Sequence, residues 1–336
     1  MDFTLTPDQE ALRDAARTLL TREWPTTSVR AYADDPSAAE PLAKHLREWA
    51  ALAEAPLVDL CLVLEETGAV LAPGTFFATT ALFAPLLAAV DAAHPLLPGI
   101  LAGEVTGTVA LAGADGRWVP NDEPVKHYVP DADRVDNVAV VLSGADGPRV
   151  AVLERPAVRP VETLDWTRRL GEVTVPAGAA AEAVPVAPGA LAAVLERATV
   201  ALAAEMLGTT RWLFDATLAY AKERVQFDRP IGSFQAVQHK LADMRLVLER
   251  AGSAVYYAAM AVDAGDPDRH RAAHVAKAVA GEAARRNAKD GIQVHGGIGY
   301  TWEHDLHLYI RRAYAQEALL GTADEHRDAL AALVLD

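Results

Sequence analysis

Two clusters of polar, aromatic and glycine residues lie in the last third of the sequence. The first is Arg224-Val-Gln-Phe227-Asp-Arg-Pro-Ile-Gly-Ser-Phe-Gln235, and an amphipathic pattern follows it at once. A guanidinium can bind a phosphate, an aromatic ring can stack on a base, and an amide at a helix start lies where free N–H groups favour anions. A helix–loop–helix connection with Pro230 and Gly232 as turn residues accounts for the same cluster without any ligand.

The second cluster is Gln293-Val-His-Gly296-Gly297-Ile-Gly299-Tyr300-Thr-Trp-Glu303. Paired glycines allow a ligand to approach the backbone closely, and Gln293 can both donate and accept hydrogen bonds. The same glycines would also serve to end one helix and begin a turn. The cluster has no G-x-G-x-x-G pattern and follows no predicted strand, so it does not indicate a Rossmann nucleotide site.

The elements that would position these clusters follow from the periodicity of apolar residues. Residues 1–105 and 185–336 have apolar residues at helical spacing, whereas residues 106–184 contain recurrent prolines and short β-branched runs. The sequence therefore predicts a mainly α fold with a small β-domain. An N-terminal helical domain, a middle β-domain and a C-terminal helical bundle would meet at about residues 105 and 184.

Local patterns make this prediction specific. Thr6 and Gln9 form a capping-box sequence with proline at the first helical position between them. Gly-Ala-Asp-Gly at 144–147 is typical of a hairpin, and the apolar run between Ala198 and Leu207 indicates a helix in the middle of a bundle. Further helical patterns cover about 39–71 and 76–92. Strands are predicted at 137–143, 149–154 and 171–175, and an apolar stripe at Phe234, Val237, Leu241, Met244 and Leu248.

Composition excludes several classes of function. The 336 residues are 51% hydrophobic, and no run of about twenty is free of charge and proline, so we expect a globular protein outside the membrane. The formal charge of −15 disfavours nucleic-acid binding, because it repels phosphodiester backbones. Cys61 is the one cysteine, which excludes an internal disulfide and a cysteine-based metal cluster. The N-terminus has no signal-peptide pattern, so a cytoplasmic location is the expectation.

Taken together, the two clusters closely resemble the C-terminal flavin-binding signatures of the acyl-CoA dehydrogenase family. The similar segments are RVQFDRPIGSFQAVQHKLADM and QVHGGIGYTWEHDLHLYIRRA, and the resemblance is specific from about residue 190 to 322. The segment TLDWTRRLGEV at 163–173 is similar to the middle domain of the actinobacterial branch of that family.

The resemblance implies a fold, a cofactor and partners. The fold would be a helical N-terminal domain, a β-barrel-like middle domain and a C-terminal four-helix bundle, in a dimer or a dimer of dimers with FAD at the subunit interface. The substrate would be an acyl-CoA thioester. The residues implied to touch the pyrophosphate and adenosine part of an FAD that lies mainly in the neighbouring subunit are Arg224, Phe227, Gln235, Gln293, Gly296 and Gly297.

The sequence departs from the family where the family places its catalytic base. In the family a glutamate removes the α-proton of the thioester. One of its locations is a Tyr-Glu-Gly-Thr stretch, which reads Leu-Leu-Gly-Thr here, so Leu320 stands at the base position. The other location, on the first helix of the bundle, falls on Ala198. Glu205 lies about 10 Å further along that helix. It is either an unusual base or a structural acid paired inside the bundle.

Other segments depart from the family as well. The stretch that lies over the flavin is replaced by LAGADGRW at 111–118, and the usual Trp-Ile-Thr/Ser run appears as Tyr128-Val-Pro-Asp. The glycine- and proline-rich loop that lines the acyl pocket is missing from 49–68, which passes directly from helix to helix. By the resemblance, the surviving residues would act on a neighbour's FAD, and the missing ones are those that serve a subunit's own site.

Three hypotheses follow for the function. The main one is a subunit that completes the FAD site of a homologous partner in an α2β2 heterotetramer and supplies no base, as some actinobacterial members of the family do. The second is a catalytic homo-oligomer whose base is Glu205, Glu317 or Asp324. The third is a flavin-free scaffold or regulatory subunit.

Overall fold

The computed structural model describes residues 3–335, and its elements follow the predicted order of helices, strands and helices. The mainly α fold with a small β region is confirmed. The helices are α1 (Pro7–Glu23), α2 (Thr26–Asp34), α3 (Glu40–Arg47), α4 (Leu57–Ala69), α5 (Ala84–Val90), α6 (Leu97–Leu101), α7 (Ala179–Glu182), α8 (Ala190–Glu223), α9 (Gln235–Asp263), α10 (Arg269–His295), α11 (Leu306–Ala318) and α12 (Ala323–Leu335). The strands are β1 (Gly107–Ala110), β2 (Val125–Pro130), β3 (Asn137–Leu142), β4 (Arg149–Glu154), β5 (Val158–Val161), β6 (Leu170–Thr174), β7 (Val184–Pro185), β8 (Val225–Gln226) and β9 (Arg229–Pro230).

The described residues form two compact units. One contains residues 3–26, 61–72 and 199–335, and the other contains residues 27–60 and 73–198. These units join segments that are distant in sequence and cut across the predicted boundaries near residues 105 and 184. The three-domain division therefore stays a prediction, based on element type.

In the first unit, α8 is the central helix. Every residue from Ala198 to Leu207 is buried, as the apolar run in the sequence predicts. α8 crosses α4 in direct backbone contact, because a Cβ on Gly208 would lie 1.8 Å from the Glu65 carbonyl oxygen and one on Gly68 would lie 1.9 Å from that of Glu205. Only glycine fits on either helix at this crossing.

Capping residues and close packing explain the remaining helices of this unit. The predicted capping box of α1 is confirmed: the Gln9 backbone N–H donates to Thr6 Oγ1 at 3.2 Å and the Thr6 N–H donates to Gln9 Oε1 at 3.1 Å. The predicted stripe lies on α9, where Leu241, Met244 and Leu248 are buried. α10 packs on α9 and presents buried small residues, which allow helices to approach closely.

The second unit contains two small sheets. One has the order β1-β3-β4-β7 with β1 and β3 parallel, and the other has the order β2-β6-β5. The strands predicted at 137–143, 149–154 and 171–175 are confirmed to within one residue at each end, and β3 and β4 form the predicted hairpin. Buried valines and alanines of both sheets form a common apolar core.

The helical pattern at 39–71 corresponds to two helices, and their connection within 49–68 is less direct than predicted. α3 ends at Arg47, a 3₁₀ turn covers Ala50–Ala53, and α4 begins only at Leu57. Pro56 explains the interruption, because proline has no N–H to donate and disfavours helical backbone in the residue before it. The helix predicted at 76–92 is confirmed, although a π-helical turn at Ala78–Phe83 precedes α5.

Candidate functional site

The first sequence cluster folds as a tight β-hairpin after α8. β8 and β9 pair in antiparallel fashion, and Phe227 and Asp228 form the two-residue turn with φ of +56° and +62°. The segment is a short connection between α8 and α9, as the helix–loop–helix interpretation has it, but its turn residues are Phe227 and Asp228, not Pro230 and Gly232. Two positive φ angles are the type I′ geometry, which normally takes Asn-Gly, so the Phe-Asp turn is strained. Strain of this kind concentrates at binding sites.

The side chains of this hairpin point into solvent. Phe227 is 85% exposed, and Arg224 and Gln235 are exposed as well. Among residues 3–335, the Arg224 guanidinium has no ion-pair partner. The Arg229 guanidinium lies over the Phe234 ring at 4.1 Å, which holds the base of the hairpin. An unpaired guanidinium beside an exposed ring is suited to a phosphate and an aromatic base.

The second cluster caps the end of α10. Gly296 has a φ of +64° and ends the helix, which is the role that its residue type predicts. A 3₁₀ turn then covers Gly296–Tyr300. Gln293, Gly296 and Gly297 are exposed, and a Cβ on either glycine would meet no atom of residues 3–335 within 4 Å beyond its immediate chain neighbours. The backbone of these glycines is therefore open to close approach from outside.

The fold brings the two clusters to one end of the helical unit. The Tyr220 ring, one turn before Arg224, stacks on the His295 ring with centroids 4.3 Å apart. Lys240 of α9 donates to Asp290 of α10 at 2.9 Å, just after the end of the first cluster and just before the start of the second. The six residues implied to touch FAD thus share this end of the unit and are all exposed: Arg224, Phe227, Gln235, Gln293, Gly296 and Gly297.

The two positions at which the family carries its base are apolar and buried. Ala198 on α8 is 0% exposed, and Leu320, in the turn between α11 and α12, is 6% exposed. Leu320 has a φ of +58° and Gly321 one of +96°, so the turn keeps an unusual backbone although it has no carboxylate.

Buried polar groups that the sequence analysis missed hold this turn. Lys277 Nζ donates to the carbonyl oxygens of Glu317 and Gly321 at 2.9 Å and 2.6 Å. His326 Nε2 donates to the Leu320 carbonyl oxygen at 3.0 Å, and its Nδ1 lies 2.8 Å from His274 Nδ1. Burial lowers the pKa of Lys277 to about 7, and burial together with Lys277 lowers the pKa of His326 to about 4. In the sequence, the one indication of these buried polar groups is the single lysine within the alanine-rich run of α10.

The candidates for a displaced base each have a partner. Glu205 Oε1 accepts a hydrogen bond from Arg312 Nη1 at 3.1 Å, and the two side chains are 2% and 0% exposed. Glu317 Oε1 accepts from the Ala323 backbone N–H at 3.0 Å, and Asp324 is exposed and paired with Arg327. Glu205 thus has the surroundings of a paired structural acid.

A second, partly buried charge cluster joins α1, α4, α8 and α9 within the same unit. Arg211 binds the carboxylates of Glu65 and Glu66, and Arg17 binds Glu66 at 2.9 Å. Tyr256 donates to Glu65 Oε2 at 2.6 Å, and burial raises the pKa of Glu65. The sequence analysis did not predict this cluster, because its members are far apart along the chain.

In the β-containing unit, the segment 111–118 that replaces the flavin-covering stretch is irregular apart from turns. Close to it in sequence, the buried Lys126 ammonium donates to the Asn121 carbonyl oxygen and to Asn121 Oδ1 at 2.5 Å and 2.6 Å. Burial lowers the pKa of Lys126. Tyr128 has a φ of +54° and is 40% exposed.

The described part of the chain contains neither a metal-site grouping nor a membrane-spanning helix. No three His, Cys, Asp or Glu side chains within residues 3–335 are grouped so that they could hold a metal ion. None of the helices in this range combines the length and the apolar character needed to cross a membrane.

Comparisons with known proteins agree with the resemblance of the two clusters. A family model described as the acyl-CoA dehydrogenase C-terminal domain matches residues 190–335. The chain is 35% identical over 269 residues to the acyl-CoA dehydrogenase IpdE2 of Mycobacterium tuberculosis, which covers 80% of this chain and 75% of that protein. A solved variant of the Tcur3481-Tcur3483 steroid ACAD is 28% identical, with a TM-score of 0.86 over 99% of each chain.

Butyryl-CoA dehydrogenase from Megasphaera elsdenii has the same fold, with a TM-score of 0.85 and 22% identity over 100% of both chains. The fold similarity therefore extends over both compact units, beyond the residues that the family model matches. Sequence identity to IpdE2, the match of the C-terminal domain and the shared fold lead to one conclusion. The chain belongs to the acyl-CoA dehydrogenase family.

Proposed function

We propose that this chain is a subunit that completes the FAD site of a homologous partner and contributes no catalytic base. The observation that carries the proposal is a contrast in exposure. The residues implied to touch FAD are all exposed at one end of the helical unit, whereas the two base positions, Ala198 and Leu320, are apolar and buried. Exposed ligand-binding residues serve a molecule held largely outside the chain.

The surface at this end fits the pyrophosphate and adenosine half of FAD. The unpaired Arg224 guanidinium can bind a phosphate in a bidentate manner, and the exposed Phe227 ring offers a face to a base. Gly296 and Gly297 leave room beside the backbone. FAD, when bound, supplies the electron acceptor for dehydrogenation, while the residues of this chain bind and orient its far end.

The chemistry of the family requires a carboxylate that reaches the α-carbon of the thioester. Glu205 is unsuited to this role because its charge is already matched by Arg312 in the interior. A catalytic homo-oligomer would therefore have to break a buried ion pair before it could act. The proposal assigns the base to the partner.

The similar proteins support a two-chain complex and a bulky substrate. The solved relative at 28% identity is named as a pair of proteins and as a steroid acyl-CoA dehydrogenase. We extend both features to this chain: a heteromeric complex that dehydrogenates a steroid-derived acyl-CoA thioester at the α,β bond.

The experiment is purification of the tagged chain alone and with whatever co-purifies from its native host. Flavin is counted per chain, and the masses of all chains are measured. We expect no flavin on the chain alone and one FAD site per pair of unlike chains in the complex. A yellow homo-oligomer that an acyl-CoA bleaches would establish the displaced-base alternative, and a complex without flavin would establish the scaffold alternative.

A matched pair of variants links the result to the proposed surface. Arg224→Gln removes the unpaired guanidinium, so we expect the complex to lose FAD about tenfold more readily, since a charge-assisted hydrogen bond is lost. Arg327→Gln removes an arginine that is bound to Asp324 on α12, and it should leave the flavin content unchanged.

A further inference from the structure

A cavity of about 350 Å³ lies among α1, α4, α8 and α9, and all of its lining residues belong to the helical unit. Its volume falls in the range of small-molecule sites, about 300–1,000 Å³. None of the residues implied to touch FAD lines it. The cavity is therefore large enough for a ligand of its own, separate from the cofactor surface.

The wall of this cavity is rich in positive charge. Arg13, Arg17 and Arg211 all line it, although the whole chain has a formal charge of −15. Arg13 and Arg17 are four residues apart on α1, so they lie on the same face of the helix, where like charges destabilise each other. An anion in the cavity would offset this repulsion.

The carboxylates near the cavity already have donors. Glu65 lines the wall, but Arg211 binds its Oε1 and the Tyr256 hydroxyl donates to its Oε2 at 2.6 Å. Arg17 donates to Glu66 Oε1 at 2.9 Å. Glu65 and Glu66 thus match Arg211 and Arg17 in charge, and the remaining guanidinium of the wall is that of Arg13.

Arg13 has a weak partner and free donors. Its Nε lies 3.1 Å from Asp14 Oδ1, and the Asp14 side chain is 61% exposed against 30% for Arg13. An ion pair with so exposed a partner contributes little to stability, so a carboxylate inside the cavity can replace it. Within residues 3–335, the two terminal nitrogens of Arg13 make no hydrogen bond. They form a fork that suits a carboxylate.

Most of the other lining side chains are apolar. Phe3, Leu5, Leu62 and Met260 supply them. The flexible thioether of a methionine adapts to apolar groups of different shapes. A ligand with a charged end and a compact apolar body would match both parts of the wall.

We propose that this cavity binds a small monocarboxylate with an apolar body, whose carboxylate is held by Arg13. A single negative charge is required because one guanidinium of the wall lacks a buried counter-charge. The site goes beyond the proposed function and does not depend on it, since it shares no residue with the FAD surface.

The test is a calorimetric titration of the full-length chain at pH 7 with hexanoate, cyclohexanecarboxylate and benzoate. At least one of these acids should bind saturably, with one site per chain. The corresponding amide has the same shape without the charge and should bind about tenfold more weakly, since a charge-assisted hydrogen bond is lost. Inorganic phosphate, which has charge but no apolar body, should also bind about tenfold more weakly.

Two variants, each with a matched control, locate the site. Arg13→Gln should weaken binding of the acid about tenfold and leave the thermal midpoint of the ligand-free chain unchanged. Its control, Arg22→Gln, removes an arginine of the same helix that pairs with the adjacent Glu23 and does not line the cavity. Ser253→Phe places a ring in the cavity and should abolish binding, whereas Ser253→Ala keeps the space and should bind as the wild type does.

Several results would overturn the inference. They are no saturable binding of any of the three acids, an amide or phosphate that binds as tightly as the acid, unchanged binding in Arg13→Gln, or binding that survives Ser253→Phe. None of these results concerns flavin, so the flavin count of the complex tests the proposed function separately.

Discussion

Glu205 and Arg312 carry opposite charges inside the helical unit, where both side chains are shielded from water. Removing one partner of a buried pair leaves the other charge uncompensated, which typically costs about 3–5 kcal/mol. We therefore expect Glu205→Gln to lower the free energy of unfolding by several kcal/mol in urea denaturation. The double variant Glu205→Leu with Arg312→Leu should recover much of this loss.

The control for this prediction is Glu249→Gln on α9. Glu249 binds Arg245 on the surface, so its loss should cost less than about 1 kcal/mol. If Glu205→Gln were as stable as the control, and if it abolished turnover in the purified complex, Glu205 would be the displaced base after all.

The sequence predicts part of this residue-level picture. Glu205 is the only charged residue in a long apolar stretch of α8, which indicates a buried acid in need of a partner. It does not identify Arg312, because the two residues are 107 positions apart and meet only when α8 and α11 pack.

At the scale of elements, the Phe227–Asp228 turn has an unfavourable backbone, although it carries the ring proposed to bind FAD. Both residues have positive φ, which costs ordinary residues about 1–2 kcal/mol. Asp228→Gly should relieve part of this strain and stabilise the chain by about 0.5–1 kcal/mol with the FAD content of the complex unchanged. Phe227→Asn should also stabilise the chain but reduce FAD content, because the ring is lost. Thermal unfolding and flavin counting measure both effects.

The same two variants can contradict the assigned role of the turn. Should Phe227→Asn retain all of its FAD, the ring would not take part in holding the cofactor, and its 85% exposure would need another explanation.

Lys277 of α10 binds the turn after α11, so its titration should make the free energy of unfolding depend on pH. Its pKa is about 7 in the folded chain and about 10.5 when it is exposed. Between these values the unfolded chain binds the extra proton, so stability should rise with pH by up to about 1.4 kcal/mol per unit. Below pH 7 both states are protonated and the contribution is constant.

We expect Lys277→Met to flatten this slope between pH 7 and pH 10 in denaturant titrations, relative to the wild type. Lys289→Met changes an exposed lysine on the same helix and should leave the slope as it is. A slope that is identical in Lys277→Met and the wild type would show that the ammonium titrates normally.

Element types were more predictable than element connections. The capping box of α1 and the β3–β4 hairpin follow from local residue chemistry, and both are confirmed. The Phe227–Asp228 hairpin was missed because its turn residues contradict the usual turn preferences. The 3₁₀ turn at Ala50–Ala53, before Pro56, was not predicted because the apolar pattern continues across it.

At the scale of the whole molecule, the exposed cofactor residues imply that FAD stabilises this chain only in the assembled complex. A ligand stabilises only the form that binds it, by about 2.7 kcal/mol at a hundred times its dissociation constant. We expect added FAD to raise the midpoint of thermal unfolding of the complex and to leave that of the isolated chain unchanged. A clear rise for the isolated chain would mean that it encloses a flavin site of its own.

The backbones of α4 and α8 are in direct contact where Gly68 faces Glu205 and Gly208 faces Glu65. No side chain lies between the two helices there, so neither neighbour can absorb an added methyl group. From Gly208, α8 runs about 22 Å to its end, where the hairpin is attached. A tilt of about 5° at this crossing would swing Phe227 by about 2 Å, a displacement that matters greatly in a binding site. The lack of a side chain at Gly68 and at Gly208 therefore helps to set the position of the distant Phe227 ring.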